Sequence, residues 1–371
     1  MRNRTDTGLL ARWWWTVDRV NLFAILLLAA IGMVMVVAGS PPVAKRLGYD
    51  SFHFVNKHYM FLGFGLVVMI ITSMLPTVAI RRLAVIGLAG SVILMMAVPI
   101  IGVENKGAHR WINLFGVSVQ PSEFMKPFFA VVMGWICAEN QRLVNFPGYK
   151  AAIGLYGLVA LLLLIQPDLG MTITVSAMWA VQLFLAGLPM FWVILLVMFA
   201  AGGGIGAYYF FPHVAKRIDL FLDPDSGDNY QIKKSLEAFR SGGVFGKGPG
   251  EGEVKMSLPD SHTDFIFSVA GEEFGIVICL LILCLFAFIV LRSFSRAWKE
   301  NDLFVILTVA GIATQFGFQA VINMGVAVRL FPAKGMTLPF ISYGGSSLVA
   351  ISLGMGIMLA FTRKNYGKKK R

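Results

Sequence analysis

The stretch that decides the fold is FIFSVAGEEFGIVICLLILCLFAFIVL, which occupies residues 265 to 291. A helix that crosses a bilayer core needs roughly 20 mainly apolar residues, and this stretch exceeds that length. The whole chain of 371 residues is 57% hydrophobic and only 14% charged, with a mean hydropathy of +0.72. Ordinary soluble domains carry about 25% charged residues, so this composition excludes that class. We interpret the chain as a polytopic membrane protein.

The same pattern recurs along the chain, and it predicts an all-α bundle of about ten transmembrane helices. We expect one membrane domain over residues 20–362, after a segment of residues 1–19 and before a basic tail of residues 363–371. The longest connection, residues 212–264, joins the seventh and eighth spans. The predicted spans are Val20–Gly39, Lys57–Leu75, Leu83–Gly102, Pro121–Glu139, Tyr149–Gln166, Leu169–Ala186, Pro189–Phe211, Phe265–Leu291, Leu303–Val326 and Tyr343–Thr362.

Basic residues near the ends of the spans predict the orientation, because cytoplasmic connections are enriched in Lys and Arg. Those at the N-terminus, at Arg81, Arg82 and Arg142, and in the tail fall on one side, so both termini are expected in the cytoplasm. The outer connections are nevertheless also basic, and the net charge is +12. Two explanations stay open: an anionic ligand at the outer face, or pairing of these cations with carboxylates of the 212–264 connection.

Ionisable side chains gather at the mouth of the eighth span. Asp260, His262 and Asp264 lie immediately before its first apolar residue. Ionisable groups beside a membrane usually mark chemistry or transport. A further carboxylate, Asp168, follows Gln166 and Pro167 between two short spans, where it suits either a functional site or the N-cap of the next helix.

Two more groups of polar residues lie inside predicted spans. Glu123 and Lys126 are three residues apart in the fourth span and therefore share a helix face. Gln315, Gln319 and Asn323 recur every fourth residue in the ninth span and form a polar stripe. Both features must face protein or water. Each suits either a functional pathway or hydrogen bonding between helices of the bundle.

Two irregular segments complete the pattern. The glycine-rich stretch from Ser241 to Gly250 suggests backbone that could approach an anion, but its spacing matches neither a Walker loop nor a dinucleotide-binding loop. The stretch from Leu330 to Ser347 contains two prolines and a Gly-Gly pair. Irregular backbone at membrane depth is tolerated where it is buried in protein or lines a cavity. We therefore expect a cleft shared by this stretch and the 212–264 connection.

The order of these motifs resembles the SEDS family of peptidoglycan polymerases, over nearly the whole chain from Val20 to Thr362. Within that family, the last motif is more similar to the division branch than to the elongation branch. Asp260 stands where the family often has Glu, and Phe274 replaces a common Leu. The motifs are Gln120-Pro121-Ser122-Glu123 with Lys126, Gln166-Pro167-Asp168-Leu169-Gly170, Leu258-Pro259 to His262-Thr263-Asp264-Phe265, Glu272-Glu273-Phe274-Gly275, and Lys334-Gly335 with Leu338-Pro339 to Ser347.

The resemblance implies an inverting glycosyltransferase that polymerises lipid II at the outer face of a bacterial inner membrane, at the division septum. It places the family's catalytic aspartate at Asp264, as general base. For the substrate site we expect Lys126 and Arg110, with Lys334 and Arg217 behind them, as cations near the pyrophosphate, and Glu123 as the residue that holds Lys126. The motif residues Gln120, Ser342 and Gly344 complete the expected substrate-binding set.

The resemblance leaves the cofactor and the partners less defined. A divalent cation, Mg²⁺ or Mn²⁺, that bridges Asp264 and pyrophosphate stays open, with Asp260 or His262 assisting. The expected partners are a class B penicillin-binding protein with transpeptidase activity, divisome regulators and the membrane itself, and we expect no nucleic-acid partner. Two alternative functions from other classes are a lipid II flippase and a divisome scaffold.

Overall fold

The computed structural model describes residues 8–105, 108–114, 116–143, 145–210, 215, 219, 230–332 and 335–364. These residues form thirteen helices and one small sheet. In chain order the helices are α1 Leu9–Thr16, α2 Arg19–Arg46, α3 His53–Met74, α4 Thr77–Ile101, α5 Pro121–Arg142, α6 Gly148–Ile165, α7 Leu169–Leu185, α8 Met190–Phe210, α9 Tyr230–Gly242, α10 Val254–Ser257, α11 Ile266–Ala297, α12 Leu303–Ala327 and α13 Gly345–Phe361. The strands are β1 Val103–Asn105, β2 Ala108–Leu114 and β3 Val117–Val119.

Ten of these helices, α2 to α8 and α11 to α13, correspond one for one to the ten predicted spans. Six of them are long and apolar enough to cross a membrane by length and composition, and α7 and α13 are shorter apolar helices. Their outward faces carry large exposed apolar side chains such as Phe64, Ile86 and Leu291. Such faces are stable only against lipid or another apolar surface, so the polytopic prediction is confirmed.

A three-stranded antiparallel sheet interrupts the otherwise helical fold between α4 and α5. The all-α prediction did not include it, because strands of three, seven and three residues leave too short a pattern to detect. Gly116, with φ of 81°, makes the turn between β2 and β3. The sheet contacts α4 and α5, and it places Arg110 of β2 over the end of the bundle.

The core of the bundle is α12, which packs against α5, α7, α11 and α13. A polar side chain of α7 binds the backbone of this helix and of α5 at once. Gln182 of α7 donates hydrogen bonds to Ala130 O of α5 at 2.7 Å and Leu307 O of α12 at 3.0 Å. One amide therefore joins three helices, which is the structural use of polar residues expected in membrane bundles.

A buried ionic contact joins the start of α2 to the end of α11. The Asp18 carboxylate, almost fully buried, accepts hydrogen bonds from Arg292 Nε at 2.8 Å and from the Arg292 guanidinium terminus at 2.7 Å. Arg296 Nε lies 3.3 Å from the same carboxylate. The short helix α1 packs at this end of the molecule, where Trp13 Nε1 donates to Ser73 Oγ at 2.8 Å. By the predicted orientation, this is the cytoplasmic end.

Candidate active site

Asp264 lies in the connection between α10 and α11, with its side chain half-buried. The backbone around it is held from two directions. Asn323 of α12 donates through Nδ2 to Asp264 O at 3.0 Å and to Met336 O at 2.6 Å. Ser342 Oγ donates to Thr263 O at 2.6 Å. The polar stripe of α12 therefore joins the last irregular segment to the Asp264 connection, and the cleft expected between these two segments stays a prediction.

Glycines line the same place. A Cβ atom added at Gly335 would lie 3.4 Å from Asp264 Oδ2, so the carboxylate stands directly beside this backbone. Gly344 is the N-cap of α13, and a Cβ there would lie 3.0 Å from a methyl carbon of Thr337. Two of the cations expected here, Lys334 and Arg217, lie outside the described residues.

His262 and Asp260 make contacts that shape the backbone next to Asp264. The buried His262 ring packs against Phe54, with ring centroids 4.6 Å apart, and against Tyr343 at 5.4 Å. Tyr343 N also donates to His262 O at 2.9 Å. Asp260 has φ of 52°, and its carbonyl accepts a hydrogen bond from Thr263 N at 3.1 Å, so it shapes the turn before α11.

The described residues do not supply a complete metal site. No group of three or more His, Cys, Asp or Glu side chains among them is placed to hold a metal ion. Mg²⁺ is often bound by one or two carboxylates together with substrate phosphates and water. A cation shared between Asp264 and the pyrophosphate therefore stays a prediction.

A closed ring of polar side chains lies next to the Asp264 connection. Lys126 Nζ is 2.9 Å from Glu123 Oε2 and donates to Gln319 Oε1 at 3.1 Å. Gln319 Nε2 donates to Thr337 O at 3.0 Å, and Thr337 Oγ1 lies 2.9 Å from Ser347 Oγ. Ser347 Oγ donates back to Glu123 Oε2 at 3.2 Å. The ring thus joins α5, α12, α13 and the irregular segment between the last two helices.

The burial of this ring is what makes it chemically notable. The Lys126 side chain is 0% exposed and that of Glu123 is 4% exposed. A buried pair has a large desolvation cost, which is offset only when the geometry is good and the remaining donors and acceptors are satisfied. Gln319 and Asn323 lie one helical turn apart, so the ring and the Asp264 backbone are held by the same face of α12. The ion pair predicted from the spacing of Glu123 and Lys126 is confirmed.

Arg110 belongs to a neighbouring cluster around the start of α7. Its Nε donates to Gln166 O at 3.1 Å, and its guanidinium terminus donates to Pro167 O at 2.5 Å. Arg110 Nε also lies 4.0 Å from Asp168 Oδ2. Asp168 caps α7, one of the two roles left open by the sequence, and accepts a further hydrogen bond from Gln120 Nε2 at 3.4 Å. Gln120 therefore connects the Arg110 cluster to the start of α5.

The cations of the long outer connection are partly paired within it. Two of the three described pairs lie within the connection and support internal pairing, one of the two explanations left open by the sequence, whereas the third joins the connection to α11. The hydrogen bond from Lys234 to Glu237 also raises the pKa of that lysine. The pairs are Lys234 with Glu237 at 2.7 Å, Lys247 with Glu253 at 3.6 Å, and Lys255 with Glu273.

The sequence did not single out Thr337, Ser347 or Lys255 as parts of these networks. Thr337 and Ser347 stand inside the last motif, where hydroxyls close to a Gly-Gly pair were the available signal. Lys255 is one of several basic residues of the long outer connection, and its local sequence does not distinguish it from the others. Its partner lies 18 residues away along the chain, across the Asp264 connection, so no local spacing reveals the contact.

The family model for FtsW, RodA and SpoVE, described as cell cycle protein, matches residues 19–367 of the chain. This chain is a member of the SEDS family. Among named relatives, a probable peptidoglycan glycosyltransferase FtsW of Caulobacter vibrioides is 45% identical over 365 residues. The match covers 98% of this chain and 94% of that relative.

Two solved structures have the same fold. A chain of a peptidoglycan synthase complex that coordinates polymerization and crosslinking is 28% identical, with a TM-score of 0.80 over 96% of this chain and all of that one. The rod shape determining protein RodA of Thermus thermophilus is also 28% identical, with a TM-score of 0.70 over 94% of this chain and 97% of RodA. The resemblance drawn from the motifs, including the similarity to FtsW, is confirmed.

Proposed function

We propose that this SEDS protein is a peptidoglycan glycosyltransferase that polymerises lipid II into glycan strands during septal cell-wall synthesis. One observation carries the proposal. Asp264 presents a half-buried carboxylate on a backbone fixed by α12 and by the segment before α13, and the same face of α12 holds the buried Glu123–Lys126 ring. The names of its relatives, which are probable peptidoglycan glycosyltransferases, support the same activity.

The proposed setting is a bacterial inner membrane with both termini in the cytoplasm. In this orientation the Asp264 connection, the sheet and the segment before α13 face the extracytoplasmic side. A substrate anchored in the bilayer by an undecaprenyl chain then presents its pyrophosphate and sugars at the level of this site. The basic outer connections favour that anionic substrate through long-range attraction.

The proposed chemistry needs one carboxylate. Asp264 takes the proton from the 4-hydroxyl of the acceptor sugar while that oxygen attacks the anomeric carbon of the donor. The bond from this carbon to the pyrophosphate oxygen breaks, the configuration inverts, and undecaprenyl pyrophosphate leaves as an anion. A positioned general base contributes roughly 10²–10⁴-fold to the rate. No second carboxylate is required, since the leaving group, unlike a sugar alcohol, departs without protonation.

We assign stabilisation of the negative charge on the departing pyrophosphate to Lys126 and Arg110. An ammonium group has three donors, and the contacts to Glu123 and Gln319 use two of them, so one remains for a phosphate oxygen. Because Lys126 is fully covered, the substrate reaches it only after some of the surrounding structure moves. Glu123 holds the lysine in place. Arg110 has five donors, and two are used on backbone carbonyls.

The remaining predicted substrate residues are assigned by position. Lys334 and Arg217 lie outside the described residues, and their proposed place near the pyrophosphate rests on the sequence alone. Ser342 and Gly344 shape the segment that faces Asp264, since Ser342 bonds Thr263 O and Leu338 N. Gln120 orients Asp168 and Ser122 next to the Lys126 pair.

The proposed partners are a class B penicillin-binding protein and the divisome proteins that regulate the pair. The support is indirect. A structural neighbour at a TM-score of 0.80 belongs to a peptidoglycan synthase complex in which polymerization and crosslinking are coordinated. Polymerisation by this chain is therefore best assayed together with its own transpeptidase.

The test is polymerisation of labelled lipid II by the purified protein with that transpeptidase, comparing wild type with Asp264→Asn. Asp50→Asn is the matched control, because Asp50 is an exposed carboxylate in another outer connection. We expect polymer from the wild type and the control, and a loss of roughly 10²–10⁴-fold in Asp264→Asn.

Two other results would overturn parts of the proposal. Equal polymer from wild type and Asp264→Asn would assign the base to another residue. A folded, partnered wild type that makes no polymer would instead favour a flippase, with Glu123, Lys126 and Gln315 along the path, or a scaffold. Transfer of labelled lipid II across vesicle bilayers would separate those two functions.

A further inference from the structure

A buried ionic cluster closes the base of the connection that carries Asp264. Both oxygens of Glu272 accept backbone hydrogen bonds, from Val254 N at 2.7 Å and Lys255 N at 2.9 Å. The ammonium group of Lys255 pairs with Glu273 Oε1. Glu272 and Glu273 are 0% exposed and Lys255 is 4% exposed. The start of α11 is thereby fixed to α10, with Asp264 on the chain between them.

The same place on α11 is a break in the helix. Gly275 has φ of 75° and ψ of −176°, which no helical residue adopts. The glycine-rich stretch fills the break so closely that a Cβ added at Gly246 would overlap Glu273 O. The backbone groups freed by the break are therefore satisfied by protein, as membrane depth requires. The hydrogen bonds are Lys247 N to Glu272 O at 2.9 Å, Gly248 N to Glu273 O at 3.0 Å and Ile276 N to Gly243 O at 3.1 Å.

The connection is also fixed between this base and Asp264. Arg46 of α2 donates to Leu258 O at 2.9 Å, and Ser261 Oγ donates to Gly39 O at 3.0 Å. Together with the contacts of α12 already described, these bonds leave the Asp264 backbone little freedom. Among the described residues, the Glu272 carboxylate is the one anchor that binds two successive N–H groups, those of Val254 and Lys255 at the start of α10.

We infer that Glu272 is a positioning residue for the reaction, which sets where the Asp264 carboxylate stands, and that the Lys255–Glu273 pair supports it. The inference rests on the proposed role of Asp264. A carboxylate suits this position because both of its oxygens accept, and charge-assisted bonds are roughly twice as strong as neutral ones. An isosteric glutamine would place an N–H₂ donor against a backbone N–H donor, so one bond would be replaced by a repulsive contact.

The experiment compares Glu272→Gln with wild type, with Asp264→Asn and with a matched control, Glu237→Gln. Glu237 belongs to the same outer connection but is exposed and pairs only with Lys234 among the described residues. Each protein is assayed with its transpeptidase for kcat and for KM with lipid II. Hydrogen exchange of residues 254–264 and of the bundle is measured in parallel.

We expect Glu272→Gln to lower kcat by about 10–100-fold with KM unchanged, since a displacement of 1 Å can cost 10²-fold. Faster hydrogen exchange should be confined to residues 254–264. The control should match the wild type in all three measurements. Glu273→Gln keeps an acceptor for Lys255 while it removes the charge, and it gives the same readouts if Glu272→Gln does not fold.

Three results would overturn the inference, and they are distinguishable from failure of the proposed function. A wild-type kcat in Glu272→Gln beside an inactive Asp264→Asn would remove the positioning role and leave Asp264 as the base. A rise in KM with faster exchange throughout the bundle would show a general structural role. Full activity of Asp264→Asn would refute the proposed base, and with it any residue assigned to position that base.

Discussion

The buried pair of Glu123 and Lys126 gives a prediction that separates folding from catalysis. Lys126→Met leaves the Glu123 carboxylate buried without its cation, and breaking a buried pair from one side costs about 3–5 kcal/mol of unfolding free energy. The double variant Glu123→Gln with Lys126→Met removes both charges, and the new amide oxygen can still accept from Ser347. We therefore expect the double variant to lose only about 1–3 kcal/mol, the cost of unsatisfied polar groups.

Catalysis should not recover in the same way. If the Lys126 ammonium stabilises the departing pyrophosphate, its loss lowers kcat by about 10²–10³-fold whether or not Glu123 is neutralised. Thermal unfolding in detergent measures the stability of each variant, and polymerisation of labelled lipid II with the transpeptidase measures the rate. A stable double variant that polymerises at the wild-type rate would refute the electrostatic role. A double variant as unstable as Lys126→Met would refute the argument from uncompensated charge.

Two further predictions follow from close contacts elsewhere. A Cβ at Gly32 would overlap Phe340 O, so Gly32→Ala should displace the segment before α13 and lower both stability and polymerisation. Gly63→Ala is the control, because the space around Gly63 is open, and it should change neither property. Thermal unfolding and polymerisation assays on the two variants would test this difference. Asp18→Asn should destabilise the protein in the same unfolding assay because it leaves Arg292 without its buried carboxylate, but the KM for lipid II should stay unchanged, since this contact lies at the opposite end from Asp264.

The parts of the fold that the sequence predicted are those with local causes. Helices lie at all ten predicted spans because burial in lipid demands a continuous apolar run. The cap at Asp168 and the pair at Glu123 and Lys126 depend on neighbours within one helical turn. The break at Gly275 could not be found in this way. It depends on backbone supplied by the glycine-rich stretch, and this stretch suggested an anion site before its role in packing was visible.

In the candidate site, too, features with local causes could be predicted from the sequence, and contacts between distant residues could not. Asp264 was identified through the family motif, and no periodicity would have distinguished it from Asp260. The polar stripe was visible as a stripe, but its partners were not, because Gln319 and Lys126 are 193 residues apart. The small sheet was missed since its strands are too short to leave a pattern, although Arg110 had been selected from its connection.

The polar ring also has a consequence for how the protein enters the membrane during synthesis. Lys126 finally contacts Gln319, but translation at about 5–20 residues per second means that roughly 10–40 s separate the two residues at the ribosome. During that interval the Lys126 ammonium group of α5 has no hydrogen bond to Gln319, because α12 has not yet been synthesised. Because Glu123 lies one turn away on the same helix, its carboxylate neutralises the Lys126 ammonium group, and α5 can stay in the bilayer without a net charge from this pair. The pair that later joins the ring thus first allows a single helix to enter the bilayer before its partner helices exist.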